Sequence, residues 1–143
     1  MEQHTFLKKL QSAPAASFHV LEPAKAKRMN AKTLYIPCPA DVAKVIAAIP
    51  PGETRTIVDL RRTLAAQGNA ETACPAATIK YWKWLAQAYD EALTADPRFA
   101  VPWWRVLKDG KPSRHMPGGV AGQLALLNSE VEAGEVRQAP KAR

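Results

Sequence analysis

The chain has 143 residues, and 47% of them are apolar, which is enough for one compact domain with a single core. Lysine and arginine number 20 against 13 acidic residues, a formal net charge of +7. This excess favours polyanionic partners, of which nucleic acid is the commonest. No apolar run approaches the roughly 20 residues that cross a bilayer, and residues 1 to 30 lack the apolar core of a secretory signal. We therefore expect a cytoplasmic protein without a membrane partner.

The residues that most often bind metals are few and scattered. The two cysteines, Cys38 and Cys74, form no metal-ligand pattern, and His4, His19 and His115 are widely separated. A reducing compartment also argues against a disulfide between the cysteines. We expect neither a metal nor a cofactor.

Residues 1–37 differ in composition from the rest of the chain. A short amphipathic piece surrounds Phe6, Leu7 and Leu10, and the stretch from Glu22 to Lys32 carries four basic side chains. That stretch is typical of a solvated basic arm, for which a plain linker and a phosphate contact are equally good interpretations. We predict an N-terminal basic extension over residues 1–37, a domain over residues 38–134 and a flexible tail over residues 135–143.

Three amphipathic helices are predicted after Pro39. The first is stopped by Pro50-Pro51-Gly52, and the second begins at the capping box Thr56-Ile57-Val58-Asp59 and ends near Gly68. In the second helix, Arg61 and Arg62 point away from the apolar face. The third runs from about Pro75 to about Thr94, with Lys80, Lys83 and Gln87 on one polar face. The apolar positions are Val42, Val45, Ile46 and Ile49 in the first, Ile57, Leu60 and Leu64 in the second, and Ile79, Trp82, Leu85, Ala86, Tyr89 and Leu93 in the third.

The aromatic and β-branched segment Phe99 to Leu107 predicts a short buried strand, followed by a turn at residues 108–111. Pro117-Gly118-Gly119 breaks the chain before a last helix, whose inner face we expect to carry Val120, Leu124, Leu127 and Val131. Three helices followed by a strand and turn, on a basic background, are the order of a winged helix-turn-helix. The predicted fold class is therefore mainly α, a winged helix-turn-helix domain with a short strand as its wing.

The segment Pro102-Trp103-Trp104-Arg105-Val106, then Gly118-Gly119, Gln123, Leu126-Leu127 and Glu130, resembles the active-site region of the alkylguanine DNA alkyltransferases. That family has Pro-Cys-His-Arg-Val, then Gly-Gly, then a helix ending in Leu-Leu, two residues and Glu. Upstream, Ile49-Pro50-Pro51-Gly52-Glu53 resembles the family's entry to its helix-turn-helix. The resemblance covers about Pro39 to Glu130 and implies the C-terminal domain fold of these alkyltransferases.

The family transfers an alkyl group from guanine to a thiolate. Here Trp103 stands at the thiol position and Trp104 at the histidine position, so the resemblance implies no catalytic residue and no enzyme. Alkyltransferase-like proteins also have tryptophan for the cysteine, although they keep the histidine. They bind DNA with alkylated guanine, flip the base into a pocket and pass the lesion to nucleotide excision repair.

The resemblance also assigns roles to individual positions. Ile57 aligns with the family's phosphate-rotating tyrosine and Thr78 with its arginine finger. Core packing is the alternative for both tryptophans; because strand neighbours face opposite sides, we expect Trp103 in the pocket and Trp104 in the core. The expected lesion-pocket residues are Trp103, Ile57, Pro117, Gly118 and Gly119, the structural residues are Pro102, Trp104, Arg105 and Glu130, and the DNA contacts are Thr78, Lys80, Tyr81, Lys83, Trp84 and Arg61.

The leading hypothesis is a non-catalytic DNA-binding protein that recognises a modified or distorted base in double-stranded DNA, such as alkylated guanine, and signals to DNA repair. Nucleotide excision repair proteins are its expected partners, and we expect a monomer. The alternatives are a winged-helix protein that binds DNA without regard to damage, an interaction module that no longer binds DNA, and an enzyme using Cys38 or Cys74. The enzyme hypothesis is the weakest, because neither cysteine lies in the segment of residues 102–106, which we call the tryptophan motif.

Overall fold

A computed structural model describes the backbone of residues 5–138 and the side chains of residues 5–131. The chain is mainly helical with small sheets. In chain order the elements are α1 (Thr5–Gln11), β1 (Ser17–Val20), α2 (Pro23–Met29), β2 (Thr33–Ile36), α3 (Pro39–Ala47), β3 (Arg55–Thr56), α4 (Ile57–Gln67), β4 (Thr72–Ala73), α5 (Pro75–Ala95), β5 (Val106–Leu107) and α6 (Gly119–Gln138).

The three predicted helices are confirmed as α3, α4 and α5. Their apolar faces meet in one core, and Ile46, Leu64 and Trp82 are fully buried there. The capping box of α4 is also present. The Asp59 carboxylate accepts from the Thr56 backbone N–H at 2.9 Å, and the Thr56 hydroxyl accepts from the Asp59 N–H at 3.1 Å. Side-chain oxygens thus satisfy backbone amides that a helix start leaves free.

Two small sheets link these helices to the rest of the chain. β1 pairs antiparallel with β2, with Phe18 opposite Tyr35, and β2 pairs parallel with β4. β3 and β5 form a separate parallel pair in which Arg55 lies opposite Val106. The second pair fixes residues 106–107 beside the start of α4, and so positions the tryptophan motif against the helical core.

The N-terminal segment, predicted as an extension, is built into the fold. Leu7 and Leu10 of α1 are 3% exposed and belong to the core, where α1 packs on α5. β1 and β2 supply two strands of the larger sheet. The basic stretch predicted as a solvated arm contains α2, which has no buried residue and ends at Asn30 in the left-handed conformation. The apolar side chains of α1 pack on α5, which is distant in the sequence. The local pattern of α1 therefore gave no sign of this packing.

The predicted strand from Phe99 to Leu107 is wrong over most of its length. The chain instead forms one 3-10 turn at Pro97–Phe99 and another at Trp103–Arg105, and only Val106–Leu107 is a strand. Pro102, within the predicted segment, has no backbone N–H to donate to a ladder. β-Branched and aromatic composition indicated a strand, but this proline prevents a continuous one.

The predicted inner face of α6 is also wrong. Val120, Leu124 and Val131 are 41%, 42% and 45% exposed, whereas Gln123 is fully buried. Leu127, the fourth residue predicted for that face, is partly buried. The helix continues to Gln138, past the predicted start of the tail at residue 135, and the rest of that tail, residues 139–143, lies outside the described residues. Within residues 5–138, no helix has the length and apolar character needed to cross a membrane.

Tyr35 makes a pH-dependent contact between β2 and α3. Its hydroxyl donates to Asp41 at 2.5 Å. Partial burial, followed by this hydrogen bond and the nearby negative charge, raises the pKa of Tyr35 to about 12. The raised pKa means that the associated stability is present below the ordinary tyrosine pKa of about 10 and is lost as pH rises through the folded value.

In an alkaline titration followed by tyrosinate absorbance, we expect a late step that Tyr35→Phe reduces. Burial also raises the pKa of Tyr81, so part of the late absorbance should remain in that variant. A wild-type titration that is complete near the ordinary value of about pH 10 would contradict the buried Tyr35 contact.

Candidate nucleic-acid interface

The Trp103–Arg105 turn is joined to α5 by a hydrogen bond from the Trp82 indole. The Trp103 N–H donates to Val101 O at 2.7 Å, and the fully buried indole N–H of Trp82 donates to Trp103 O at 2.9 Å. A buried indole N–H needs an acceptor, and the turn provides it. The tryptophan motif is therefore held rigidly on the helix predicted to contact DNA.

Gln123 of α6 ties the same turn to the loop that precedes this helix. Its side-chain amide donates to Trp104 O at 3.0 Å and to Val106 O at 2.8 Å, and its carbonyl accepts from Ser113 N at 3.0 Å. All three partners are backbone groups, and the Gln123 side chain is fully buried. This satisfied contact explains why a polar residue of α6, rather than its apolar stripe, faces inward.

A pocket of about 290 Å³ lies between α5, the Trp103–Arg105 turn and the start of α6. We call these the tryptophan pocket and the tryptophan turn. Its walls are mainly aromatic and apolar. The ring of Trp104 packs edge-on against Tyr89 at 5.4 Å and against Trp103 at 5.8 Å between ring centroids. The lining residues are Ala86, Tyr89, Asp90, Trp103, Trp104, Pro117, Gly122 and Leu126. A small pocket with aromatic walls suits a flat group such as a nucleobase.

Both tryptophans line this pocket, which corrects the expectation that only Trp103 would. The alternation of a strand does not apply, because the two residues lie in a 3-10 turn. Trp103 is only 4% exposed and also belongs to the core, while Trp104 is partly exposed. Trp103 therefore both lines the pocket and packs in the core.

The other predicted pocket residues divide between the pocket and its surroundings. Pro117 lines the pocket, whereas Ile57 is buried in the core at the start of α4. Gly118 and Gly119 have φ of +78° and +66° and are absent from the lining. A Cβ on Gly118 would lie 3.0 Å from the Gly122 Cα. This glycine permits close approach of the loop to α6.

Arg105, the residue after the two tryptophans, forms a largely buried ion pair with Glu130. The Arg105 Nη2 donates to Glu130 Oε2 at 2.5 Å, and its Nη1 donates to Ile49 O at 2.7 Å. Gly52 N also donates to Glu130, at 3.4 Å. Arg105 and Glu130, which the resemblance gives as structural residues, thus join α6 to the loop after α3.

Burial is the largest single influence and raises the pKa of Glu130, but Arg105, Trp104 and the Gly52 backbone N–H together outweigh it, so the pKa is lowered overall. The Trp104 side chain contributes to this lowering, although its buried indole N–H reaches no acceptor in hydrogen-bonding geometry. Glu130 therefore remains ionised at neutral pH and holds the guanidinium in place.

Three of the expected DNA contacts are structural. Thr78 is fully buried, and its hydroxyl donates to Cys74 O at 2.8 Å. Tyr81 is 3% exposed and packs in the core. Arg61 donates to Ala73 O at 2.9 Å and to the Thr72 hydroxyl at 3.1 Å. Thr78 and Tyr81 are close to Lys80 and Lys83 in the sequence, but their side chains lie on the face of α5 that packs in the core.

The exposed face of α5 carries Lys80, with Lys83 and Trp84 partly exposed beside it. The ammonium of Lys80 lies 5.3 Å from the Trp84 ring centroid, and that of Lys9 in α1 lies 5.4 Å from the same centroid. The N-terminal helix thus adds a cation to the face of α5, which the sequence did not indicate. We call Lys9, Lys80, Lys83 and Trp84 the α5 basic face.

Neither cysteine belongs to the pocket. Cys38 and Cys74 are the N-cap residues of α3 and α5, and the Cys74 sulfur accepts from Ala77 N at 3.5 Å. Across the described part of the chain, no group of three or more His, Cys, Asp or Glu side chains is arranged to hold a metal ion. Chemistry at this site would have to rely on the aromatic walls and on Asp90.

Comparisons of the chain with protein-family models, with curated proteins and with solved structures gave no match.

Proposed function

We propose that this protein is a non-catalytic, alkyltransferase-like DNA-binding protein that holds a modified base in the pocket beside Trp103 and Trp104. The observation that carries the proposal is the aromatic pocket of about 290 Å³ on α5, the helix whose outer face carries Lys80 and Lys83. Phosphate contacts would position the duplex, and the aromatic walls would receive one base.

The order of the elements supports a winged helix-turn-helix as the fold. α3, α4 and α5 share one core, α4 and α5 are joined by a short connection, and β5 returns to pair with β3 at the start of α4. The turn after β5 closes at Lys108 and Lys111 and would be the wing. In this arrangement α5 is the recognition helix.

The chemistry of the site supports binding without alkyl transfer. Trp103 stands where the resembling family has its nucleophile, and an indole does not attack carbon as a thiolate does. Cys38 and Cys74 cap other helices. The proposal includes a cytoplasmic monomer that signals damage to nucleotide excision repair proteins, because a binder without repair chemistry needs a partner that removes the lesion.

A damage-independent DNA-binding protein is the second candidate, and the burial of Trp103 favours it. At 4% exposure, most of this ring packs against protein and offers little surface to a base. Ile57, at the position of the family's tyrosine, is buried as well. Both candidate functions use the α5 basic face to bind DNA. They differ only in whether a base enters the tryptophan pocket.

Removing two lysines from α5 tests DNA binding itself. Lys80→Ala with Lys83→Ala should weaken binding to plain duplex and should reduce the slope of log affinity against log salt by about 2, since each lysine at a phosphate releases about one counterion. Lys25→Ala with Lys27→Ala, on exposed α2, is the control with the same loss of charge. Equal weakening by both pairs, or no binding by folded wild type at low salt, would refute this interface.

A further inference from the structure

A large groove lies between α3 and α4, away from the tryptophan pocket. Its volume is about 630 Å³, within the range of ligand sites. No residue of α5 or α6 lines it. The lining residues are Lys44, Val45, Ala48, Ile49, Arg55, Asp59, Leu60, Arg62, Thr63 and Gln67. We call this the α3–α4 groove.

The charged rim of the groove is predominantly cationic. Lys44, Arg55 and Arg62 face a single carboxylate, Asp59, among the lining residues. Asp59 is engaged in the capping box, where it accepts from Thr56 N at 2.9 Å, and it contacts Arg62 at the longer distance of 3.4 Å. The backbone hydrogen bond from Thr56 is the main reason that its pKa is lowered. The groove therefore offers positive charge and hydrogen-bond donors to an acceptor-rich ligand.

The existing partners of the two arginines are exposed and weak. Arg62 has a side chain that is 75% exposed, and Arg55 pairs at 3.1 Å with Glu53, which is 53% exposed. Exposed ion pairs of this kind contribute little, so an incoming carboxylate can replace them. Exposed Lys44 stands on the opposite wall, on α3.

The floor of the groove is apolar, formed by Val45, Ala48, Ile49 and Leu60. Ala48 is exposed, while the other three are buried side chains that line the groove. Nucleic acid presents mainly phosphates to such a surface, and phosphates gain nothing from an apolar floor. A peptide that alternates acidic and apolar side chains matches both the rim and the floor.

We propose that the α3–α4 groove is a docking site for an acidic, amphipathic segment of a protein partner. The charge complementarity of Lys44, Arg55 and Arg62 selects the carboxylates, and the floor accepts the apolar side chains. The site shares no residue with the α5 basic face, so a partner can dock there whether or not the proposed DNA binding is correct.

The probe for this test is a labelled helical peptide of glutamate and leucine, titrated by fluorescence anisotropy against the full chain. Lys44→Glu with Arg62→Glu should weaken its binding by about tenfold or more, because both rim charges become repulsive. Ala48→Trp, which fills the floor, should weaken it without any change of charge. Lys80→Glu with Lys83→Glu is the control of equal charge and should leave peptide binding within about twofold. Thermal melting verifies that each variant is folded.

Three results would overturn the proposal. The first is a lack of saturable binding by the wild-type protein. The second is equal binding of a peptide of glutamate and serine, which would show that the floor is not used. The third is a loss of duplex DNA binding in the Lys44 and Arg62 reversal as large as in the α5 reversal, because the groove would then be a nucleic-acid surface.

Discussion

Gln123→Leu should lower the free energy of unfolding by about 3–5 kcal/mol, because leucine fills a similar volume but leaves buried backbone groups of Trp104, Val106 and Ser113 without their hydrogen bonds to Gln123. The effect is large because one side chain satisfies groups from both the tryptophan turn and the loop before α6. Urea unfolding of the variant and of wild type measures the difference.

Gln87→Leu is the matched control, since Gln87 is exposed on α5 and its replacement should change stability by no more than about 0.5 kcal/mol. A loss below about 1 kcal/mol for Gln123→Leu would show that water or a shift of the backbone replaces the missing bonds, and that Gln123 does not fix the tryptophan turn.

Arg105→Met should cost about 3–5 kcal/mol at neutral pH, because it leaves the Glu130 carboxylate charged in a largely buried site. The side chains of the pair are 12% and 15% exposed. Arg98→Met is the control, since Arg98 is 63% exposed in its pair with Asp96, and exposed pairs contribute about 0–1 kcal/mol.

The pH dependence of this difference distinguishes a broken ion pair from lost packing. In wild type the lowered pKa of Glu130 gives stability that is present above the unfolded value of about 4.3 and is lost as pH falls through the folded value. Without Arg105, burial raises the pKa of Glu130, so the variant loses stability as pH rises. The difference in melting temperature should therefore narrow below about pH 4, and a constant difference would assign the loss to packing.

Local sequence patterns were sufficient for the helices that carry their own signals. The spacing of Val42, Val45 and Ile46 and the capping pair of Thr56 and Asp59 define α3 and the start of α4 without distant contacts. The motif that resembles the alkyltransferases gave Arg105 and Glu130 as structural residues, and in the structure the two side chains form an ion pair while Arg105 also donates to Ile49 O.

Several features that depend on long-range packing differ from the expectations or were missed. Residues of α1 and β2 looked like an extension because their partners, α5 and β4, come much later in the chain. The inner face of α6 was assigned from its apolar stripe, but hydrogen bonds to Gln123 turn that stripe outward. The Tyr89 and Leu126 walls of the pocket were missed, since only the fold brings α5 and α6 to the two tryptophans.

The most direct test of a base-binding pocket compares the affinities for duplexes with and without an alkylated guanine, for wild type, Leu126→Trp and Leu124→Trp. Leu126 lines the pocket and Leu124 does not, although both lie on α6 and are 36% and 42% exposed. Wild type and Leu124→Trp should prefer the alkylated duplex by roughly 5- to 150-fold, the worth of stacking one base on aromatic walls. Leu126→Trp should lose that preference and keep its affinity for plain duplex. Equal affinity of wild type for both duplexes would contradict a lesion pocket and leave a DNA-binding protein that does not sense damage.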